Sequence, residues 1–378
     1  MRTILSKTLI DITAAISVML GLLVAGNVSA ATEKLFVAAE GTDNIAVIDV
    51  ATNTVITTIS TGAGSTPHNP VLSPDNNYVY VTLKGTGEIA KINVNTNTLT
   101  AVFSTGGGLA PVHMDVSADG NWLYVVNQVS DQVVKMSAVD GSIDASYTFG
   151  GAPSLTYKPL DINVGPNGNI WITDEEANTL SIMDTSLTGV FSTVGVGDRP
   201  IQVVFGLDGN TAYTTNFNDN TVSVIDVADA LLGSTVPGSF DMGGVGSMGP
   251  MGAVIDPDGG TLWLSGTAGN TVHGHSLIDG DNYSYTATNN LIAAHGLDIS
   301  DDGTYLFTSI FYDGSSTSRD AVAVIDADTG LLVTKFYIAG ANDLHGLVYV
   351  SAVPVPAAVW LFGSGLLGLI GVAKRKKV

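Results

Sequence analysis

The chain has 378 residues, 45% of them hydrophobic, with 35 acidic against 14 basic side chains, a formal net charge of −21 and no cysteine. So acidic a balance argues against nucleic-acid binding, which needs clustered Lys and Arg on phosphates. The absence of cysteine excludes both a disulfide-stapled scaffold and covalent c-type haem, and a chain of this length can bury a core without staples.

At the N-terminus, Arg2 and Lys7 form a short basic segment, and residues 8–24 are mostly apolar apart from Asp11. Val28, Ser29 and Ala30 place small residues where a signal peptidase reads. Residues 1–30 are therefore expected to be a signal peptide cleaved after Ala30 or one residue later, with an uncleaved anchor as the alternative. Either reading exports the middle of the chain. Without Arg2, Lys7 and the basic residues at the far end, residues 31–353 keep eight basic and 34 acidic side chains, about −26.

That middle is repetitive. The segments "PHNPVLSPDNNYVYVT" from Pro67, "PVHMDVSADGNWLYVV" from Pro111 and "PLDINVGPNGNIWIT" from Pro159 align with one another. So do "PIQVVFGLDGNTAYTT" from Pro200, "PMGAVIDPDGGTLWLS" from Pro250 and "AHGLDISDDGTYLFTS" from Ala294. Each reads as a strand, a tight turn, and a second strand with an aromatic near its middle. The turn residues Asp75, Asp119, Asn167, Asp208, Asp258 and Asp302 recur at intervals of 44, 48, 41, 50 and 44. A third strand follows, clearest in "GTDNIAVIDVATNTVITTI" from Gly41 and "NDNTVSVIDVADALLGS" from Asn218. Its alternation of apolar and polar residues suits a sheet, and Asp-Gly or Asn-Gly suits a hairpin. Repeats of about 40–50 residues with four short strands predict propeller blades; separate β-sandwich domains are the alternative.

The blade count follows from the ends. Six full units begin at Pro67, Pro111, Pro159, Pro200, Pro250 and Ala294, and "DLHGLVYV" from Asp343 begins a seventh that stops after one strand. The missing three strands lie in "KLFVAAEGTDNIAVIDVATNTVITTI" from Lys34. One C-terminal and three N-terminal strands would close the ring and remove its open edges. The expected fold is an all-β, seven-bladed β-propeller over residues 31–350.

"TAYTTNFNDNTVSVIDV" and "KLFVAAEGTDNIAVIDVATNTVITTI" resemble YVTN-repeat propellers, which are common in exported and surface-layer proteins of prokaryotes. The resemblance runs over residues 34–350. The units at Pro111 and Pro250 depart from it, with "VVKMSAVDG" and "TVHGHSLIDG" at the third strand.

The segment 351–378 has another character. Residues 357–373 carry no charge and are followed by Lys374, Arg375, Lys376 and Lys377. As a helix this run would be about 25 Å long, enough to cross a thin bilayer, with the basic cluster held on the cytoplasmic side. A buried core helix is the alternative. Val353, Pro354, Val355, Pro356 and Ala357 resemble the Val-Pro-Leu-Pro-Ala variant of PEP-CTERM sorting signals. That resemblance implies processing by an exosortase-type membrane protease. It implies a protein at the cell surface or outside the cell, held transiently in the membrane by its C-terminal helix.

Catalytic signatures are few. There is no Gly-x-Ser-x-Gly elbow, Walker loop or Rossmann fingerprint. "GGVGSMG" from Gly243 reads as an inter-blade connection. His273 and His275 share one face of a strand and read as exposed decoration rather than a ligand pair. Trp122, Trp171 and Trp263 read as packing between blades. The turns before the third strands carry Asp43, Glu88, Asp131, Glu175, Glu176, Asp219, Asp313 and Asp320, which predicts a negative face able to hold Ca²⁺ weakly.

Four histidines, His68, His113, His295 and His345, fall where innermost strands begin, in neighbouring blades. His113 is one place out of step. Imidazoles converging on a channel rim suit copper or zinc. The leading functional reading is an exported binding module for an extracellular polysaccharide, a protein partner or a metal. An enzyme, metal-dependent or lactonase-like with its site at the channel mouth, is the second reading, and a structural surface-layer protein the third.

Overall fold

The computed structural model describes residues 32–151, 157–233, 237–241, 248–267, 271–278, 282–285, 294–310, 320–338 and 340–352. The repeated turn sets the hairpins. Asp75 accepts the Asn77 N–H at 3.0 Å, Asp119 that of Asn121 at 3.0 Å, and Asp302 that of Thr304 at 3.0 Å. The residue between them turns left-handed: Asn76 at φ 56°, Gly120 at 72°, Gly303 at 73°. A side chain that bonds its own backbone two residues on, followed by a residue tolerant of positive φ, is what the Asp-Gly and Asp-Asn pairs supply.

Seven four-stranded antiparallel sheets result. The first blade runs Pro67–Leu72, Tyr78–Leu83, Glu88–Asn93 and Thr98–Ser104 from the channel outward. The closing blade orders Leu344–Val350, Lys34–Ala39, Asn44–Asp49 and Thr54–Ser60, with Lys34 opposite Val350 and Phe36 opposite Val348. The remaining inner strands are Pro111–Val116, Pro159–Val164, Pro200–Phe205, Pro250–Ile255 and Ala294–Ile299. Each touches the next around the ring, and Leu344–Val350 touches Pro67–Leu72. This is the all-β, seven-bladed propeller, closed by N- and C-terminal strands as the sequence predicts.

The core lies between blades rather than within one. In Lys34–Ala39 alternate residues face opposite neighbours, as a period of two requires. Leu35 and Val37 pack with Phe307 and Val322 of the sixth blade, while Phe36 and Ala38 pack with Val79 and Val81 of the first. Tyr349 stacks on Phe307 with ring centroids 5.5 Å apart, and Trp171 meets Phe205 edge-on at 5.3 Å. Trp171 and Trp263 are buried.

Inter-blade stacking also corrects one expectation. His273 and His275 are not exposed decoration: both are buried, and His275 stacks on Phe240 of the preceding blade at 3.7 Å. Alternation along one strand misleads here because a blade is covered on both faces.

Residues Glu33–Ser351 form one compact unit. Met1–Thr32 and Ala352–Val378 are grouped separately. The expected signal peptide at 1–30, the motif at 353–357, the apolar run at 357–373 and most of "GGVGSMG" lie outside the described residues. The membrane-anchored localisation is corrected: among the described residues no helix is long and apolar enough to cross a membrane. The one α-helix there is Val227–Leu231.

Candidate functional site

The channel mouth is built by two repeated positions. The residue before six of the seven inner strands is left-handed, with φ of 44° at Thr66, 56° at Ala110, 53° at Lys158, 59° at Arg199, 56° at Gly249 and 55° at Asp343. Its carbonyl accepts the N–H of the residue just after a second strand. The pairs are Thr66 with Lys84, Ala110 with Gln128, Lys158 with Glu175, Arg199 with Phe217, and Asp343 with Glu40. Left-handed conformations cost about 1 kcal/mol or more outside glycine, so something must hold them. Asp43 accepts the Thr66 N–H at 2.9 Å, Asp131 that of Lys158 at 3.0 Å, and Asn178 that of Arg199 at 2.9 Å. These turn side-chain oxygens act as backbone clamps. Glu175 is likewise engaged, by Arg199 at 2.7 Å and Lys158 at 3.3 Å. The expected negative, calcium-holding face is thus largely committed to internal bonds, and Asp313 lies outside the described residues.

The second position of three adjacent inner strands is histidine: His295 in the sixth blade, His345 in the closing blade and His68 in the first. In the other four blades it is Val112, Leu160, Ile201 and Met251. Glycine follows His295 and His345, and this lets the strands approach. A Cβ on Gly296 would lie 2.7 Å from the His345 carbonyl oxygen, and one on Gly346 would lie 2.8 Å from that of His68. Hydroxyls weld the blades at the same level. Ser309 accepts the Gly296 N–H at 2.9 Å and donates to the His345 carbonyl, and Ser265 donates to that of His295 at 2.6 Å.

The imidazoles converge as a result. Ring centroids are 4.5 Å apart for His68 and His345, 4.6 Å for His295 and His345, 6.5 Å for His68 and His295, and 5.8 Å for His68 and His113. Glu40 joins them. Its Oε2 lies 3.2 Å from His68 Nδ1 and 2.9 Å from His345 Nε2, and Lys84 Nζ holds its Oε1 at 3.0 Å. Burial pulls the His68 pKa down to about 3; the bond to Glu40 opposes this only partly, and the neighbouring imidazoles of His345 and His113 add to the fall. Burial and the same crowding hold His295 well below its ordinary value. Burial would raise Glu40, but its hydrogen bonds with His345 and His68 outweigh it and hold the carboxyl below the usual range.

His113 has a different partner. It occupies the third position of its inner strand, where a bulge shifts the register and pairs it with Val126. Its Nδ1 lies 2.9 Å from Asp161, the third residue of the next inner strand. Asp161 in turn accepts the Val203 N–H at 3.0 Å. Deeper in the channel, Asp115 accepts from Val164 and Asp298 from Tyr349, each at 2.7 Å, stapling neighbouring inner strands. Burial pushes both carboxyls up to about 6.

His68, His113, His295, Asp161, Lys158 and Arg199 line a mouth cavity of about 480 Å³. All four histidines singled out from the sequence come together here. Glu40 was missed. Aligning "VAAEGTDN" with "VTLKGTGE" would have found it, since Glu40 and Lys84 both directly follow a second strand.

A model of the family described as "Lactonase, 7-bladed beta-propeller" matches residues 57–229, somewhat less than half of the chain. Among solved structures, a periplasmic gluconolactonase of Pseudomonas aeruginosa is 16% identical with a TM-score of 0.67, over 85% of this chain and 99% of that one. A virginiamycin B lyase of Staphylococcus aureus is 17% identical with a TM-score of 0.63, over 77% and 94%. A protein of unknown function from Desulfotomaculum acetoxidans is 18% identical with a TM-score of 0.66, over 84% and 99%. At this identity the likeness establishes the fold. No curated protein matches the chain.

Proposed function

We propose that the protein is a hydrolase of the lactonase type, opening a cyclic ester in the cavity at the channel mouth. The observation that carries this reading is the His113–Asp161 pair, 2.9 Å apart on a cavity of about 480 Å³. The match to the lactonase propeller family and the likeness to a gluconolactonase support it. Asp161 fixes the imidazole with Nδ1–H toward itself and leaves Nε2 as the base, the orientation a general-base histidine needs.

In the proposed reaction, Nε2 of His113 takes a proton from water as the water oxygen bonds to the lactone carbonyl carbon. The tetrahedral intermediate then expels the ring oxygen, which receives that proton back from the imidazolium. Lactone and water become a hydroxy acid, with no other reactant. Lys158 and Arg199, on the same cavity, offer N–H donors to the carboxylate that ring opening creates. A pH-stat assay over γ- and δ-lactones, gluconolactone included, tests this. Acid release well above the uncatalysed rate is expected. Saturable lactone binding without acid release would leave the protein a binding module instead.

A further inference from the structure

We propose that Glu40, His68 and His345 hold a divalent transition metal, zinc or copper, at the channel mouth, with water as the fourth ligand. Three observations point there, none of them drawn from the hydrolytic reading. The first is spacing. Around a tetrahedral ion with bonds of about 2.0–2.1 Å, neighbouring donor atoms stand about 3.3 Å apart. Glu40 Oε2 is 3.2 Å from His68 Nδ1 and 2.9 Å from His345 Nε2, and the three donors all lie within 4.8 Å of one another. The two distances to Glu40 are within a few tenths of an ångström of that ideal.

The second observation is where the fold departs from its own repeat. Packing alone is satisfied at the second inner-strand position by Val112, Leu160, Ile201 and Met251. Histidine replaces these aliphatics only in three blades that are consecutive around the ring. In two of them, as after Met251, a following glycine lets the next strand come within the reach of a missing Cβ. The backbone brings the rings of His68 and His345 to a centroid spacing of 4.5 Å, which suits a shared guest, while His295 stands 6.5 Å from His68. Nitrogen-rich donor sets with one carboxylate suit zinc and copper rather than calcium or magnesium.

The third is support around the donors. Lys84 holds the far oxygen of Glu40, which aims the near one at the imidazoles. Ser309 and Ser265 fix the carbonyls of His345 and His295. Outer groups of this kind orient ligands and set affinity. His113 is outside the set because Asp161 engages it.

The test uses the full chain stripped with chelator, with Zn²⁺, Cu²⁺ or Co²⁺ alone as the probe. One ion per chain is expected, with the visible bands of a four-coordinate site for Co²⁺. His345→Ala and Glu40→Gln should weaken binding at least ~10-fold, as loss of a ligand or its support does. His345→Gln, which keeps a donor toward Glu40, serves as the folding control and should lose metal while keeping the wild-type circular dichroism. His113→Ala should retain the full metal stoichiometry even where lactone hydrolysis is lost, so that the two sites fail separately. No uptake of any of these ions, or uptake unchanged in His345→Ala, His345→Gln and Glu40→Gln, would overturn the assignment.

Discussion

Gly346 lies directly against the carbonyl oxygen of His68: a Cβ built on the glycine would meet that oxygen at 2.8 Å. The closing strand and the first blade's inner strand touch here, with no room for a side chain. The convergence of His345 on His68 depends on that contact.

Gly346→Ala should therefore act on the site as well as on stability. Overpacking a closed contact costs about 1–3 kcal/mol. Chemical denaturation should show a loss in that range, together with weakened Zn²⁺ uptake at the mouth. A variant as stable as wild type with unaltered metal uptake would mean the strands can part without disturbing the histidines.

Ring closure gives the second prediction. Leu344–Val350 pairs with Lys34–Ala39 and buries Tyr349 against Phe307. Ending the chain at Asp343 opens a sheet edge and uncovers both neighbouring blades. The midpoint of thermal unfolding should fall by roughly 5 °C or more, since a few kcal/mol moves a domain of this size about that far. A truncated protein that melts with the full-length one would remove the closure argument.

The architecture was legible because turn chemistry repeats. Asp or Asn followed by a residue tolerant of positive φ marks the first hairpin of six blades, and the orphan strand at "DLHGLVYV" matches the three unpaired strands at the other end. The histidines were legible because each sits at the start of an inner strand. Glu40 was not, because its meaning comes from contact with His68 and His345, which come from different strands and, for His345, from the other end of the chain. His113 looked out of step because it is the third residue of its inner strand, and its partner, Asp161, is the third residue of the next one. His273 and His275 looked exposed because strand alternation does not reveal a second blade lying on top.

The channel carboxyls predict a pH effect. Asp298 and Asp115 have folded pKa values of about 6, above the unfolded value near 4. Between those values the folded state keeps a proton that the unfolded chain has released. Stability from these groups is therefore lost as pH rises from about 4 to 6, and no further above that. Asp298→Asn retains an oxygen that can accept the Tyr349 N–H but cannot ionise. Relative to wild type, it should gain about 1–3 kcal/mol between pH 4 and pH 6.5. Urea midpoints for the two proteins that stay parallel across this range would contradict the burial of that carboxyl.

Asp161 offers a test of orientation without removal of the base. Asp161→Asn keeps an acceptor for the Val203 N–H but removes the charge that faces His113. Lactone turnover should fall about 10²-fold or more, with KM little changed, because the imidazole loses both its preferred tautomer and the partner of its charged form. A change confined to KM would make Asp161 a substrate-binding group instead.

The most direct measurement is kcat for ring opening by His113→Ala beside wild type, on the lactone that wild type opens fastest. Loss of an oriented general base should lower kcat about 10²- to 10⁴-fold, while circular dichroism and Zn²⁺ uptake stay as they were. Turnover by His113→Ala at the wild-type rate would contradict the placement of the reaction at the His113–Asp161 pair.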